Sequence, residues 1–166
     1  MKHMPLSQAY LREIFDYNPM TGLLIRRVSL GSRAQAGDVV GTPAGSGYLN
    51  VCINYKKYLV HRLIWMYVHG VWPSIEVDHW NRRKADNWLS NLRLATHSEN
   101  QHNIGIRRNN SSGFTGVKQS SSAGKWCARI TLDGREISLG TYDTPELASD
   151  AYQAAKLIHH PTAPQQ

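Results

Sequence analysis

The sequence predicts an α+β protein made of two small units, and three observations carry that expectation. Residues 75–103 read in order as a strand, a long polar loop, a second strand and a short helix. Residues 114–139 read as three short strands with alternating apolar positions, closed by one helix after Thr144. Between the two lies a stretch with linker composition: Gly105, Arg107, Arg108, Asn109, Asn110, Ser111, Ser112 and Gly113. The expected boundaries are a first domain over 1–103 with its functional core at about 75–103, a basic linker over 104–113, and a second domain over 114–160.

The elements follow from local pattern. Residues 23–27 and 48–53 are strand-like, separated by a segment containing Gly41, Gly45 and Gly47. Residues 54–56 suit a turn into another strand at 57–60. A helix is expected over 61–69, because Leu63, Ile64, Tyr67 and Val68 share one face, and Gly70 and Pro73 stop it. Residues 75–79 and 92–95 are the strands on either side of the polar loop 81–91. Thr96 with Glu99 three residues on fits a capping box, starting a helix that carries Asn100 and Gln101.

In the second unit, strands are expected at 114–119, 126–132 and 135–139, with Asp133-Gly134 as a two-residue hairpin turn. Thr144 suits an N-cap, Pro145 the first helical position and Glu146 the positive end of the helix dipole. The expected apolar face of that helix is Leu147, Ala151, Ala154 or Ala155, and Ile158. At under 50 residues such a unit has modest stability.

Composition narrows the function classes. Of the 166 residues 41% are hydrophobic and 19% charged, enough to bury a core and too apolar for a wholly disordered chain. No apolar run approaches the roughly 18 residues of a membrane span, and the first seven residues lack a signal pattern. Two cysteines, Cys52 and Cys127, are too few for a four-cysteine zinc site and fit reduced thiols in a cytoplasmic protein. The net charge of +7 is uneven. Arg107, Arg108, Lys118, Lys125, Arg129 and Arg135 face one acid, Asp133, whereas Glu136, Asp143, Glu146 and Asp150 follow with one base, Lys156. A basic stretch backed by an acidic one suits a polyanion on one side; a solvated surface without a partner is the competing reading.

The chemistry gathers at Val77-Asp78-His79, Asn91-Leu92-Arg93 and Glu99-Asn100. Neighbouring residues on a strand project to opposite sides, so Asp78 and His79 do different work: one can hold a metal while the other activates water. Asp78-His79, Asp86-Asn87, Asn91-Leu92-Arg93 and Asn100 resemble the ββα-metal motif of HNH endonucleases, especially phage homing endonucleases. Gly47-Tyr48, Val60-His61-Arg62 and Gly70…Pro73 resemble the same phage group. The resemblance covers most of residues 20–103. It implies His79 as general base, Asp78 as a metal ligand and Asn91 as the residue that bridges the loop and orients His79. It implies Asn100 as the second ligand, where many relatives have histidine; His97 and His102 lie nearby. The cofactor implied is Mg²⁺ or Mn²⁺. Arg82, Arg83 and Lys84 are expected to face DNA phosphates. His61 is expected to pack at the start of its helix, and Trp65, Trp72, Trp80 and Trp88 to pack in the core or loops. An imidazole at 79 aimed into the protein interior, or Asp78 and Asn100 too distant to share one cation, would collapse the enzyme reading and leave a basic protein that holds DNA.

Phe114-Thr115-Gly116-Val117, Gly124-Lys125-Trp126, the run from Leu139 to Thr144, and Ala148…Ala151-Tyr152…Ala154-Ala155 resemble the plant ethylene-response-factor type of DNA-binding domain. The match spans about residues 112–158. In that family the outer face of the sheet enters the major groove. The positions implied here are Thr115, Gly116, Lys118, Gln119, Arg129, Thr131 and Ser138, with Arg107 and Arg108 of the linker alongside. The reading is therefore a metal-dependent endonuclease acting on double-stranded DNA, expected as a monomer without an obligatory protein partner. The alternatives are a catalytically inactive DNA-binding regulator and an RNA-directed nuclease.

Overall fold

The computed structural model describes residues 6–103, 106, 109–132 and 134–159. Contacts divide the chain into two compact units, Met1–Thr96 and His97–Gln166.

The first unit opens with α1 (Gln8–Ile14), β1 (Phe15–Tyr17) and β2 (Leu24–Arg26). Ser7 caps α1 by accepting from the Tyr10 amide at 3.1 Å. Neither α1 nor β1 was legible in the sequence, because seven and three residues are too few for a period to show. β1 and β2 pair as an antiparallel hairpin. Its turn is built by Asn18, whose Oδ1 accepts from the Met20 and Thr21 amides.

Next come β3 (Thr42–Pro43), β4 (Leu49–Ile53) and β5 (Lys56–Leu59), a three-stranded sheet with β4 in the centre. Asn54 and Tyr55 both take positive φ (49° and 64°), the conformation that a tight two-residue hairpin needs. The expected strands at 23–27, 48–53 and 57–60 are thus present, each shifted by a residue or two. α2 (Val60–His69) follows directly and ends where Gly70 adopts φ 77° and returns its amide to the Met66 carbonyl. Its Val60, Leu63 and Ile64 join Leu11, Phe15 and Leu24 as the largest fully buried side chains of the core. α2 therefore carries the centre of this unit, with α1, β4, β5 and β6 (Glu76–His79) packed around it. β6 pairs antiparallel with β7 (Leu92–Ala95).

The second unit contains α3 (His97–His102), β8 (Val117–Gln119), β9 (Trp126–Leu132), β10 (Arg135–Tyr142) and α4 (Pro145–His159). The sheet is antiparallel with β9 central, and α4 packs on all three strands. Two strand limits differ from expectation. β8 begins late because Gly116 takes φ 74° and its carbonyl accepts from the Arg129 amide at 2.8 Å, so 114–116 form a turn. β10 runs on to Tyr142 because a register irregularity between Ser138 and Gly140 lets pairing resume. The Leu139–Thr144 segment is thus mostly strand. The expected turn at Asp133-Gly134 lies partly outside the described residues; Gly134 has φ 77°.

The inward face of α4 is one residue away from the face expected. Ala148, Ser149, Tyr152, Ala155 and Lys156 are buried, whereas Leu147 is 50% and Ile158 74% exposed. Tyr152 decides the rotation: it packs with Ile130 and Ala155, and its ring fills the space a side chain at 116 would need. Among the described residues no helix is long and apolar enough to cross a membrane.

A Cβ added to Gly116 would lie 2.2 Å from the Tyr152 ring and 2.8 Å from the Arg129 carbonyl, on a backbone that disfavours any side chain. Gly116→Ala is therefore expected to cost the second unit roughly 1–3 kcal/mol. Urea unfolding followed by near-ultraviolet circular dichroism reads it, and an unchanged midpoint would show that the turn is not held as described.

Candidate active site

The site is built on the β6–β7 hairpin and the loop that joins its strands. In this register Asp78 lies opposite Arg93 and His79 opposite Leu92. Alternation sends Val77 and His79 to the core side, and Asp78 to the other face beside Arg93. Asp78 is 7% exposed, and its Oδ2 accepts from Arg93 Nε at 3.0 Å and Nη2 at 2.9 Å. The Arg93 guanidinium also lies 4.5 Å from the Trp80 ring centroid, which fixes its plane.

The loop is held by carboxamides. Asn91, buried at its base in a 3-10 turn over Leu89–Asn91, uses both ends of its side chain. Its Oδ1 accepts from the Asn81 amide at 2.9 Å, and its Nδ2 donates to the Asp86 carbonyl at 2.7 Å and to Asn81 Oδ1 at 3.0 Å. Asn81 Nδ2 in turn donates to Asp86 Oδ2 at 2.9 Å, and the Trp80 amide to the Asn91 carbonyl at 2.8 Å. One residue thus ties down the start, middle and end of the loop. Arg82 tolerates φ 65° inside it.

The network delivers Asn87. Its Nδ2 donates to the Ala85 carbonyl at 3.2 Å, so its Oδ1 is the atom that faces His79 Nε2 at 2.9 Å. A carbonyl oxygen only accepts, so Nε2 carries the proton and Nδ1 the lone pair. Burial pushes the His79 pKa down, opposed by the bond to Asn87 and the charges of Asp78 and Asp86. The ring is neutral in the ordinary working range. Asn87 is itself backed by the N-terminal hairpin: Tyr17 Oη donates to its carbonyl at 2.8 Å, and Gly22 lies where any Cβ would meet the Asn87–Trp88 backbone.

His79 is 2% exposed. Its ring faces inward, 5.0 Å from the His61 centroid and 5.8 Å from that of Tyr48. This is the placement that the strand-end reading did not anticipate. The reason is parity: at the end of β6, the face opposite Asp78 is the core face, shared with Val77. His61 behaves as expected, packing in the first turn of α2, and is buried too. Sequence reasoning missed the Asn87 contact to His79, which it had placed in the motif without a role, and the Arg93–Asp78 pair.

Asn91 reaches His79 through Asn87 rather than directly. Asn100 lies on α3, which falls in the second unit together with His97 and His102. Among the described residues no three His, Cys, Asp or Glu side chains converge to hold a metal. Arg82, Arg83 and Lys84 are exposed on the loop; Lys84 Nζ donates to the Ser46 carbonyl and stands over the Tyr48 ring.

In the second unit, Lys118, Arg129, Thr131 and Ser138 lie on the sheet face away from α4. Gln119 does not: it alternates with Val117 onto the helix side at the sheet edge. Thr115 sits in the turn before β8. Arg129 is ion-paired to Glu136 on the same face, which partly neutralises it. Arg107 and Arg108 lie outside the described residues. Cys127, whose thiol is pulled down by contacts from Thr141 and Arg129, and Cys52 are free thiols.

Asp78 and His79 thus stand on opposite faces of one strand, beside an asparagine-stapled loop. Residues 58–102 of the chain match the HNH endonuclease family. Over 106 residues the chain is 27% identical to Protein 3.8 of Escherichia phage T7, an alignment covering 63% of this chain and 88% of that protein. Over 63 residues it is 41% identical to the ethylene-responsive transcription factor ERN3 of Medicago truncatula, covering 37% of this chain and 26% of ERN3.

Burial holds the His61 pKa at about 3, against an ordinary 6.5. The unfolded chain therefore takes up a proton at this residue between those values and the folded chain does not. Stability is expected to fall as pH drops from about 6.5 toward 3, on the order of 1 kcal/mol per pH unit from this group. Comparing urea midpoints of the wild type and His61→Phe across that range isolates the contribution; parallel curves would mean His61 titrates normally.

Proposed function

We propose that the protein is a metal-dependent endonuclease that hydrolyses phosphodiester bonds in double-stranded DNA, of the homing type found in phages. The observation that carries this reading is the imidazole of His79, neutral and tied through Nε2 to Asn87. That tautomer suits a general base acting through Nδ1, because the fixed Nε2–H leaves one nitrogen with a lone pair. Ligand-free enzymes often hold their catalytic groups away from productive geometry, so a buried ring is compatible with a base that engages when DNA binds.

Asp78 and Asn100 are the residues proposed to hold Mg²⁺ or Mn²⁺. The donor chemistry fits: a carboxylate and a carboxamide offer hard oxygens, and hard oxygens with waters and phosphate are what such ions take. A bound ion would supply charge to the transition-state oxygens. Arg93 orients the Asp78 carboxylate through its two bonds to Oδ2. Asn91 holds the loop, Asn87 fixes the base, and Arg82, Arg83 and Lys84 offer cations to the phosphates. His79 takes the proton of the attacking water as that oxygen bonds to phosphorus, while the ester bond to the leaving deoxyribose oxygen breaks and that oxygen takes a proton from solvent water.

The second domain is proposed to bind DNA through the sheet face bearing Lys118, Arg129, Thr131 and Ser138, with Thr115 and Gln119 at its margins; Arg107 and Arg108 of the linker are proposed to add phosphate contacts. Carrying two modules on one chain makes the second contact intramolecular, so two weak binders give useful affinity.

The inward ring of His79 also favours a second reading, a DNA-binding protein that does not cut. A plasmid-nicking assay with Mg²⁺ or Mn²⁺, with and without EDTA, separates the two. Cleavage that EDTA abolishes is expected. His79→Ala should lower it by a factor of about 10² or more while leaving DNA affinity within about twofold; cleavage retained by that variant would remove the base assignment. Lys118→Glu is expected to weaken duplex binding and flatten its salt dependence by about one unit of slope. If affinity and slope are unchanged, the sheet face does not contact DNA.

A further inference from the structure

We propose that His61 is a positioning residue for the reaction: its imidazole is the wall that holds the His79 ring in one orientation and one tautomer. The link to catalysis rests on His79 being the base; the link to ring geometry does not.

His61 is 3% exposed in the first turn of α2. The other buried residues of that helix, Val60, Leu63, Ile64 and Met66, are all apolar. His61 Nδ1 is buried and has no hydrogen-bond partner among the described residues. An unsatisfied polar atom of that kind costs about 1–3 kcal/mol. An apolar residue would serve the helix better, so helix stability does not account for a histidine here.

What the ring touches does account for it. Its centroid is 5.0 Å from that of His79 at an interplanar angle of 72°, an edge-to-face contact, and 5.0 Å from that of Tyr48. Tyr48 and His79 are 5.8 Å apart, so the three rings close on one another. Asn87 holds His79 at Nε2, and His61 and Tyr48 stand against its ring. A flip of the His79 ring would give up the Asn87 bond, and the ring would have to sweep past His61 in order to turn. A methyl at 61 would open the space for that flip, whereas a six-membered ring would keep it closed at some cost in overpacking.

The test uses the full chain as wild type, His61→Ala and His61→Phe, each checked by thermal unfolding. Long-range ¹H–¹⁵N spectra of the imidazoles report the His79 tautomer directly. The wild type should show a single Nε2–H form, His61→Ala an average of tautomers, and His61→Phe the single form restored. Steady-state cleavage of duplex DNA should show kcat about 10–100-fold lower in His61→Ala with KM within about twofold, and near wild type in His61→Phe. A locked His79 tautomer in a folded His61→Ala variant overturns the proposal, as does a His61→Phe variant whose His79 averages like that of His61→Ala. If His61→Ala does not fold, His61→Phe decides alone by the same reading. A wild type that never cleaves DNA, combined with loosened His79 in His61→Ala, defeats the nuclease reading and leaves the positioning role standing.

Discussion

The Asn91 carboxamide is the constraint on which the rest of the candidate site depends. The loop over 80–91, between two four-residue strands, has little periodic backbone bonding of its own, so its shape must come from side chains. Asn91 supplies it by accepting from the Asn81 amide and donating to Asn81 and to the Asp86 carbonyl. Asp86 is next to Asn87, so pinning one places the other, and Asn87 sets the proton on His79. A carboxamide suits this task because it carries donor and acceptor together and has no charge to desolvate. The N-terminal hairpin completes the support from outside, through Tyr17 and the close approach at Gly22.

Burial and parity together divide the labour along β6. The face that carries Asp78 also carries the cation that balances it, Arg93, held flat against Trp80. The face that carries His79 is lined by neutral rings, and desolvation keeps both imidazoles uncharged. One strand thus presents an ion-paired carboxylate on one side and a neutral imidazole on the other. Separating the two by the strand itself prevents the carboxylate from simply pairing with an imidazolium. That arrangement suits phosphodiester hydrolysis, in which a cation site and a proton acceptor serve different atoms.

The second unit solves a different problem, a core too small to tolerate an error. Val117, Ala128 and Ala148 form one buried cluster and Ile130, Tyr152 and Ala155 another. The small residues let α4 approach the sheet, and Tyr152 fills what they leave. That close fit is why a glycine stands at 116. The opposite face of the sheet bears Lys118 and Arg129 but also Glu136, so its positive field is weaker than the local sequence charge suggests.

Residues 75–103 show how far the sequence reaches. Strand alternation and the spacing of Asp78-His79, Asn91 and Arg93 specified the hairpin and the polar loop, because these patterns are local and survive without tertiary context. The same holds for β9, read to the residue, and for the positive-φ positions at Gly70 and Gly134. Short elements escaped, since α1 and β1 owe their form to packing of Leu11 and Phe15 and not to any period. The face of α4 escaped as well, because Leu147 and Ile158 fit a helical stripe equally well until Tyr152 claims the contact with the sheet. By itself the sequence determined which chemical groups the site has and which strand carries them. Only the tertiary structure decided that Asn87 and not Asn91 touches His79, that Arg93 answers Asp78, and that His61 closes over the ring. Those are contacts between residues distant along the chain, and side-chain hydrogen bonds and ring packing leave no periodic trace in a single sequence.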